Sequence, residues 1–276
     1  MPFLIVACAR ARMPLLVVGA VLLLADSGAD GWLPAAVPWV GVGCLLLGLA
    51  TYFRLVPARR EPHLVLPPVA GSWVALNSPT DRVPSHGLLA YGQSHAVDLL
   101  HVPTTGSDAG RKPGERRGRS WHPRPETFSG FGLPVVAVAD GEVVRVREWQ
   151  PDARAWLGKA GIVVFMLFAA VRELGGAGAV LGNHVIIRIA PRTYAVVAHL
   201  RRRSVRVRPG DRVRAGQTIA ECGNTGNTTE PHVHVQLSDS AHPAFAAGVP
   251  MAFSLADGTT GVPAGGQLLP QIAADL

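Results

Sequence analysis

From about Trp73 onward the chain breaks into short runs rich in β-branched residues, at 134–139, 142–146, 184–189, 194–198 and 232–237. Turn residues separate them. Asp140-Gly141 predicts a tight hairpin between the first two runs. Pro209-Gly210-Asp211 and Arg214-Ala215-Gly216 are turn signals of the same kind. Many short strands with frequent turns predict a mainly β domain built on antiparallel sheet.

Two stretches break this rhythm. Residues 103–125 are rich in Gly, Pro and Arg, with Arg111, Lys112, Arg116, Arg117 and Arg119 close together, which predicts a mobile loop. Residues 152–178 contain a helix-like run, 155–174, whose centre at 161–171 is strongly apolar. The default expectation is an inserted helix buried against the domain. Contact with a membrane or a partner is the alternative, since so short a run cannot span a bilayer.

The first 53 residues carry most of the apolar excess of a chain that is 48% hydrophobic and only 16% charged. Residues 13–25 are apolar but too few to cross a bilayer unaided, which takes about 20 residues. Residues 32–53 are long enough and uncharged, with Trp32, Trp39, Tyr52 and Phe53 suited to the two interfaces. The expected organisation is a membrane-anchoring region, 1–60, with one or two transmembrane helices. A domain at 61–276 follows, carrying the two inserted segments.

A formal charge of +7 and a pI near 10.1 favour anionic partners. No nucleic-acid motif accompanies the arginines and no aromatics interleave with them, so nucleic acid is not expected. Phospholipid head groups and anionic wall polymers remain. Cys8, Cys44 and Cys222 have no spacing for a thiolate zinc site, and no obligate protein partner is evident.

The chemistry concentrates in Pro231-His232-Val233-His234-Val235-Gln236-Leu237. On a strand His232 and His234 share a face, so both imidazoles can serve one metal, or one can bind while the other handles protons. A His-x-His pair alone is weak. Its surroundings sharpen it: Gly182-Asn183-His184-Val185-Ile186-Ile187, Ala198-His199-Leu200, Val213-Arg214-Ala215-Gly216-Gln217 and Gly223-Asn224-Thr225-Gly226 precede it in that order.

Together these motifs, from about Asn77 to Phe253, resemble the lysostaphin-like (LytM-type) zinc metallopeptidases. The resemblance implies a lysostaphin-type antiparallel β domain and a zinc ion held by an early His, an Asp and the second His of the pair. The last two fall on His234 and on Asp98, in Gln93-Ser94-His95-Ala96-Val97-Asp98. The family's usual His four positions before the Asp is Ser94 here. The first ligand is therefore expected to be His86, in Ser85-His86-Gly87, with His95 as the alternative. By strand parity His95, three before Asp98, points away from it. By the same resemblance His232 is the general base, and His199 stabilises the oxyanion or orients water. His184 is read as structural, and His63, His101, His122 and His242 match no motif.

The implied function is a membrane-anchored zinc endopeptidase that cuts peptidoglycan peptides on the extracytoplasmic side. The flanking charges oppose that orientation: Arg10 and Arg12 before the apolar segments and Arg54, Arg59 and Arg60 after them favour a cytoplasmic domain. Two other readings compete. One is a non-catalytic module of this fold that binds the wall or regulates another hydrolase. The other is a structural membrane protein with a carrier-like β domain, which gives no reason for this set of histidines.

Overall fold

The structure is a computed structural model describing residues 2–26, 34, 36–51, 61–103, 112, 114–115, 120–255 and 258–270. Most of the arginine-rich stretch 103–125, expected to be a mobile loop, lies outside the described residues, as does much of the linker near residue 60.

Two helices come first, α1 (Pro2–Asp26) and α2 (Val37–Ala50), packed against each other. Glycines let them approach closely: a Cβ on Gly19 would meet Gly41 O at 2.8 Å. The Arg12 guanidinium is buried in the pair, with Nε donating to Thr51 Oγ1 (3.0 Å) and Nη2 to Thr51 O (2.9 Å). Transmembrane helices were expected here. Among the described residues, no helix is long and apolar enough to cross a membrane. Fourteen residues of α2 reach only about 21 Å at 1.5 Å per residue, short of a roughly 30 Å hydrocarbon core. Helix α1 has the length but carries Arg10 and Arg12 within it.

The rest of the chain forms strands β1 (His63–Val65), β2 (Trp73–Leu76), β3 (Val97–His101), β4 (Pro134–Val136) and β5 (Gly141–Arg147). Helices α3 (Gly158–Leu174) and α4 (Ala177–Leu181) follow. Then come β6 (His184–Ala190), β7 (Thr193–Ala198), β8 (Arg212–Val213), β9 (Thr218–Glu221) and β10 (Val233–Ser238). Strands β11 (Gly248–Val249), β12 (Met251–Ser254) and β13 (Thr260–Gly261) complete the order.

The main sheet runs β2-β3-β10-β7-β6-β5-β8, antiparallel throughout, with β11 also pairing β10. Side-chain alternation gives its two faces different work. Val97, Leu99, Val233, Val235, Leu237, Val197, Ala195, Val185 and Ile187 point into one core beneath the smaller β4-β9 pair. The residues between them, Asp98, His234, Gln236 and Ala198, take the opposite face. There the site is built. A third sheet joins β1 in parallel to β12, with β13 antiparallel beyond it.

Two expectations need correction. Asp140-Gly141 does not close a hairpin between adjacent strands, because β4 pairs with β9 while β5 pairs with β6 and β8. The dipeptide carries the chain from the small sheet to the large one, and Asp140 Oδ1 accepts the Ala215 N–H (2.8 Å). The insertion is helical as expected, but it is not buried. On α3 only Gly161 is fully covered, whereas Val163 is 63% exposed, Leu167 68%, Val171 64% and Leu174 89%. Each large apolar side chain left in water forgoes roughly 1.5–3 kcal/mol relative to burial. The packing of α3 onto the domain is thus confined to one narrow side.

Candidate metal centre

Asp98 on β3 and His234 on β10 are paired across the sheet in register. His234 Nδ1 lies 2.9 Å from Asp98 Oδ1. The third group arrives from a loop. Ser85 N–H donates to Ser94 O (3.0 Å) and Ser85 Oγ to Gln93 O (3.2 Å), pinning the 83–87 turn against the segment that enters β3. That pinning sets His86 Nε2 3.0 Å from Asp98 Oδ2. Ligand atoms of His86, Asp98 and His234 all lie within 4.8 Å of one another. His95 is not among them; it ends a 3-10 segment, Ala90–His95, with Nδ1 3.0 Å from Ser94 Oγ.

The donor chemistry fits a divalent cation such as zinc. Gln236 Nε2 donates to Tyr91 O (2.8 Å), which fixes its amide so that Oε1 accepts from His234 Nε2 (2.9 Å). A neutral His234 then carries its proton on Nε2 and turns a lone pair at Nδ1 toward a carboxylate oxygen. In that tautomer two lone-pair bearers face each other, an arrangement that a cation relieves, and two imidazoles with one carboxylate are a set that zinc takes. Asn77 Nδ2 donates to Asp98 Oδ2 (2.8 Å), orienting the carboxylate from outside. Burial of Asp98 works to raise its pKa. The surrounding imidazoles, His86 foremost, outweigh it and hold the carboxyl well below its usual range.

Two more histidines face this cluster. His232 lies just ahead of β10, with Nδ1 2.8 Å from Glu230 O and 3.0 Å from Thr228 Oγ1. Its Nε2 is 3.6 Å from Asp98 Oδ1. His199 directly follows β7 in the left-handed region at φ 61°, with Nδ1 2.7 Å from Thr225 O. A carbonyl can only accept, so each Nδ1 is the protonated nitrogen and each Nε2 presents a lone pair to the site. Burial drives the His199 pKa well below its ordinary value, helped by His232 and His234, while Asp98 and the Thr225 carbonyl pull the other way. It is a neutral acceptor.

Glycine makes the Thr225 contact available. At Gly182 (φ 66°) a Cβ would run into the Thr225 backbone, and at Gly226 (φ 82°) into Gly182 and Val180 O. The two turns approach because neither carries a side chain. Asn183 is fully buried in this scaffold, its Nδ2 donating to Gln150 O (2.8 Å) and Leu200 O (3.2 Å). The Gly-Asn and Gly-Asn-Thr-Gly motifs therefore build the frame that aims His199.

The cluster opens into a cavity of about 420 Å³. One wall is polar, with Asn77, His86, Asp98, His199, His232 and His234. The other is the inner side of α3, with Phe165, Met166, Ala169 and Ala170. Tyr91 Oη donates to Glu173 Oε2 (2.6 Å) and ties the far end of α3 to the domain.

Residues 126–245 match the model for Peptidase family M23. Over that stretch the chain is similar to the M23 peptidases. His199, His232 and His234 fall within the matched residues, and His86 and Asp98 precede them. A 56-residue segment is 44% identical to the peptidoglycan DD-endopeptidase ShyC of Vibrio cholerae, covering 20% of this chain and 12% of that protein. Among solved structures, the catalytic domain of the prophage-encoded M23 protein EnpA from Enterococcus faecalis is 25% identical. That match spans 54% of this chain and 93% of the other, at a TM-score of 0.30. The lysostaphin catalytic domain of Staphylococcus simulans is 22% identical over 49% of this chain and 88% of its own, with a TM-score of 0.29. These superpositions are partial, and the likeness to the family lies in the match over 126–245.

Sequence reasoning named the five residues that converge, but not the groups that hold them. Gln236 was within reach, since it continues the alternation of His232 and His234 along one strand. Asn77 stands 21 residues before Asp98 in a left-handed conformation, and no local pattern announces it.

Proposed function

We propose that this protein is a zinc endopeptidase that hydrolyses peptide bonds in peptidoglycan. In this reading it is held at the cell membrane by its N-terminal helices, with the M23 domain on the extracytoplasmic side. The observation that carries it is the convergence of His86, Asp98 and His234, with the Nε2 lone pairs of His199 and His232 turned toward the same point. The named activity of the Vibrio cholerae relative supports the choice of substrate.

His86, Asp98 and His234 would hold the ion. What zinc supplies when bound is Lewis acidity, which lowers the pKa of a coordinated water and polarises a scissile carbonyl. His232 takes the proton from the attacking water at Nε2, its Nδ1 being committed to Glu230 O, and delivers it to the departing amine. His199 receives a hydrogen bond from that water at Nε2 and fixes its direction of attack. Its tautomer suits this role better than donation to an oxyanion, because Thr225 O holds its single proton. The α3 wall shields the reacting centre from bulk water.

Incubating the zinc-loaded full chain with purified peptidoglycan, and mass analysis of the released muropeptides, tests the reading. Soluble products containing a newly cut peptide bond are expected, and none from His232→Ala. A chain that binds zinc and the wall yet releases no such product would instead be the non-catalytic module.

A further inference from the structure

We propose that the outer side of α3 is a lipid-contacting surface that lies in the plane of an anionic bilayer, separate from any attachment made by α1 and α2. Between Ile162 and Val171 the helix has no polar residue at all. Ile162, Val163, Leu167, Phe168 and Val171 are all exposed, while Phe165, Met166, Ala169 and Ala170 line the cleft on the opposite side. A helix shaped for a protein groove carries a fitted apolar stripe with polar margins. From Ile162 to Val171 every outward position is apolar, which suits hydrocarbon. Seventeen residues reach only about 25 Å, so α3 lies along a membrane and does not cross it.

Position and charge select lipid over other occupants. Helix α1 packs against the 3-10 turn Pro243–Phe245, that turn abuts α4, and α4 adjoins α3, so the apolar hairpin and the apolar helix belong to one continuous side. On this side a recess of about 430 Å³ brings Arg145, Arg147, Trp149 and Phe245 together. The Arg147 guanidinium sits 4.4 Å from the Trp149 ring centroid, and Trp149 is 63% exposed. Lys159 stands exposed near the start of α3. An apolar face rimmed by exposed Trp, Arg and Lys complements acyl chains beneath anionic head groups. The chain's formal charge of +7 acts in the same sense.

The test uses the full chain with Cys8→Ser and Cys44→Ser, leaving the buried Cys222 in place. One environment-sensitive dye is attached through Leu167→Cys or, as a control, through Arg212→Cys, which pairs with Glu142 at the end of β5 away from Arg147. Each variant must melt like its parent. In phosphatidylglycerol-rich vesicles at about one chain per vesicle, the Leu167 label should lose iodide accessibility by roughly fivefold. Chain-brominated lipid should quench it, and the Arg212 label should remain in water. Equal iodide access at the two positions on vesicle-bound protein overturns the proposal. So does equal shielding in purely zwitterionic vesicles, or shielding that appears only when chains are crowded, which would identify a second copy as the occupant.

Discussion

Asp98 and His234 face each other directly across β3 and β10, their nearest side-chain atoms 2.9 Å apart although 136 residues separate them in sequence. His86 closes the group from a loop on the other oxygen of the same carboxylate. On the proposed reading, removing His86 takes away a ligand, whereas His95 lies outside the cluster. Zinc affinity of the His86→Ala protein should fall by at least about 100-fold, and that of His95→Ala should match the parent. Competition titration against a chromophoric chelator measures both. Loss of zinc from His95→Ala with retention in His86→Ala would reverse the assignment.

Gln236 is fully buried and spends both ends of its amide, one on Tyr91 O and one on His234. Gln236→Leu keeps the volume but leaves the His234 ring unanchored. Zinc affinity should drop by about 10–100-fold with the fold retained. Unchanged affinity would mean that the strand alone orients His234.

On the proposed reading, His199 and His232 work on protons and do not hold the ion. His199→Ala and His232→Ala should each keep their zinc and lose roughly 10²–10⁴-fold in kcat. Metal analysis of the same samples used for muropeptide assays separates this from ligand loss. A zinc-free His199→Ala protein would move His199 into the ligand set.

Acid sensitivity should trace in part to His184. It is 3% exposed with Nδ1 2.8 Å from Gly182 O, and burial, aided by Arg147 and Arg145, pushes its pKa from 6.5 down to about 4. The unfolded chain binds this proton more readily than the folded one. Stability from this group is therefore complete above pH 6.5 and declines as pH falls toward 4, by up to about 3 kcal/mol. Denaturant melts across that window should show a shallower acid limb for His184→Gln. An identical limb would exclude His184 as a contributor.

The β domain was legible because alternation and turn chemistry are local. The runs at 184–189, 194–198 and 232–237 lie within a residue of strands β6, β7 and β10. Partner choice is not local. Nothing in Asp140-Gly141 says that β4 leaves for a different sheet, since that depends on what β9 offers 80 residues later. For α3, apolarity was visible and exposure was not. The expectation that apolar means buried holds where a chain has enough surface to cover the segment, and here the cleft covers one side only. Asp98, His199, His232 and His234 could be read from motifs. His86 needed a loop closure that Ser85 makes with Gln93 and Ser94, a contact no periodicity encodes.

The distance in sequence between Asp98 and His234 bears on how the molecule matures. Strand β3 docks onto β10 only after the entire intervening sheet has been synthesised, and such long-range antiparallel pairings are slow steps in folding. A fragment trimmed to 126–245 retains His199, His232 and His234 yet forfeits the carboxylate and the neighbouring strand. On the proposed reading, a nascent or clipped chain would be inert toward metal until β10 zips home, so ion capture would serve as a readout of that pairing.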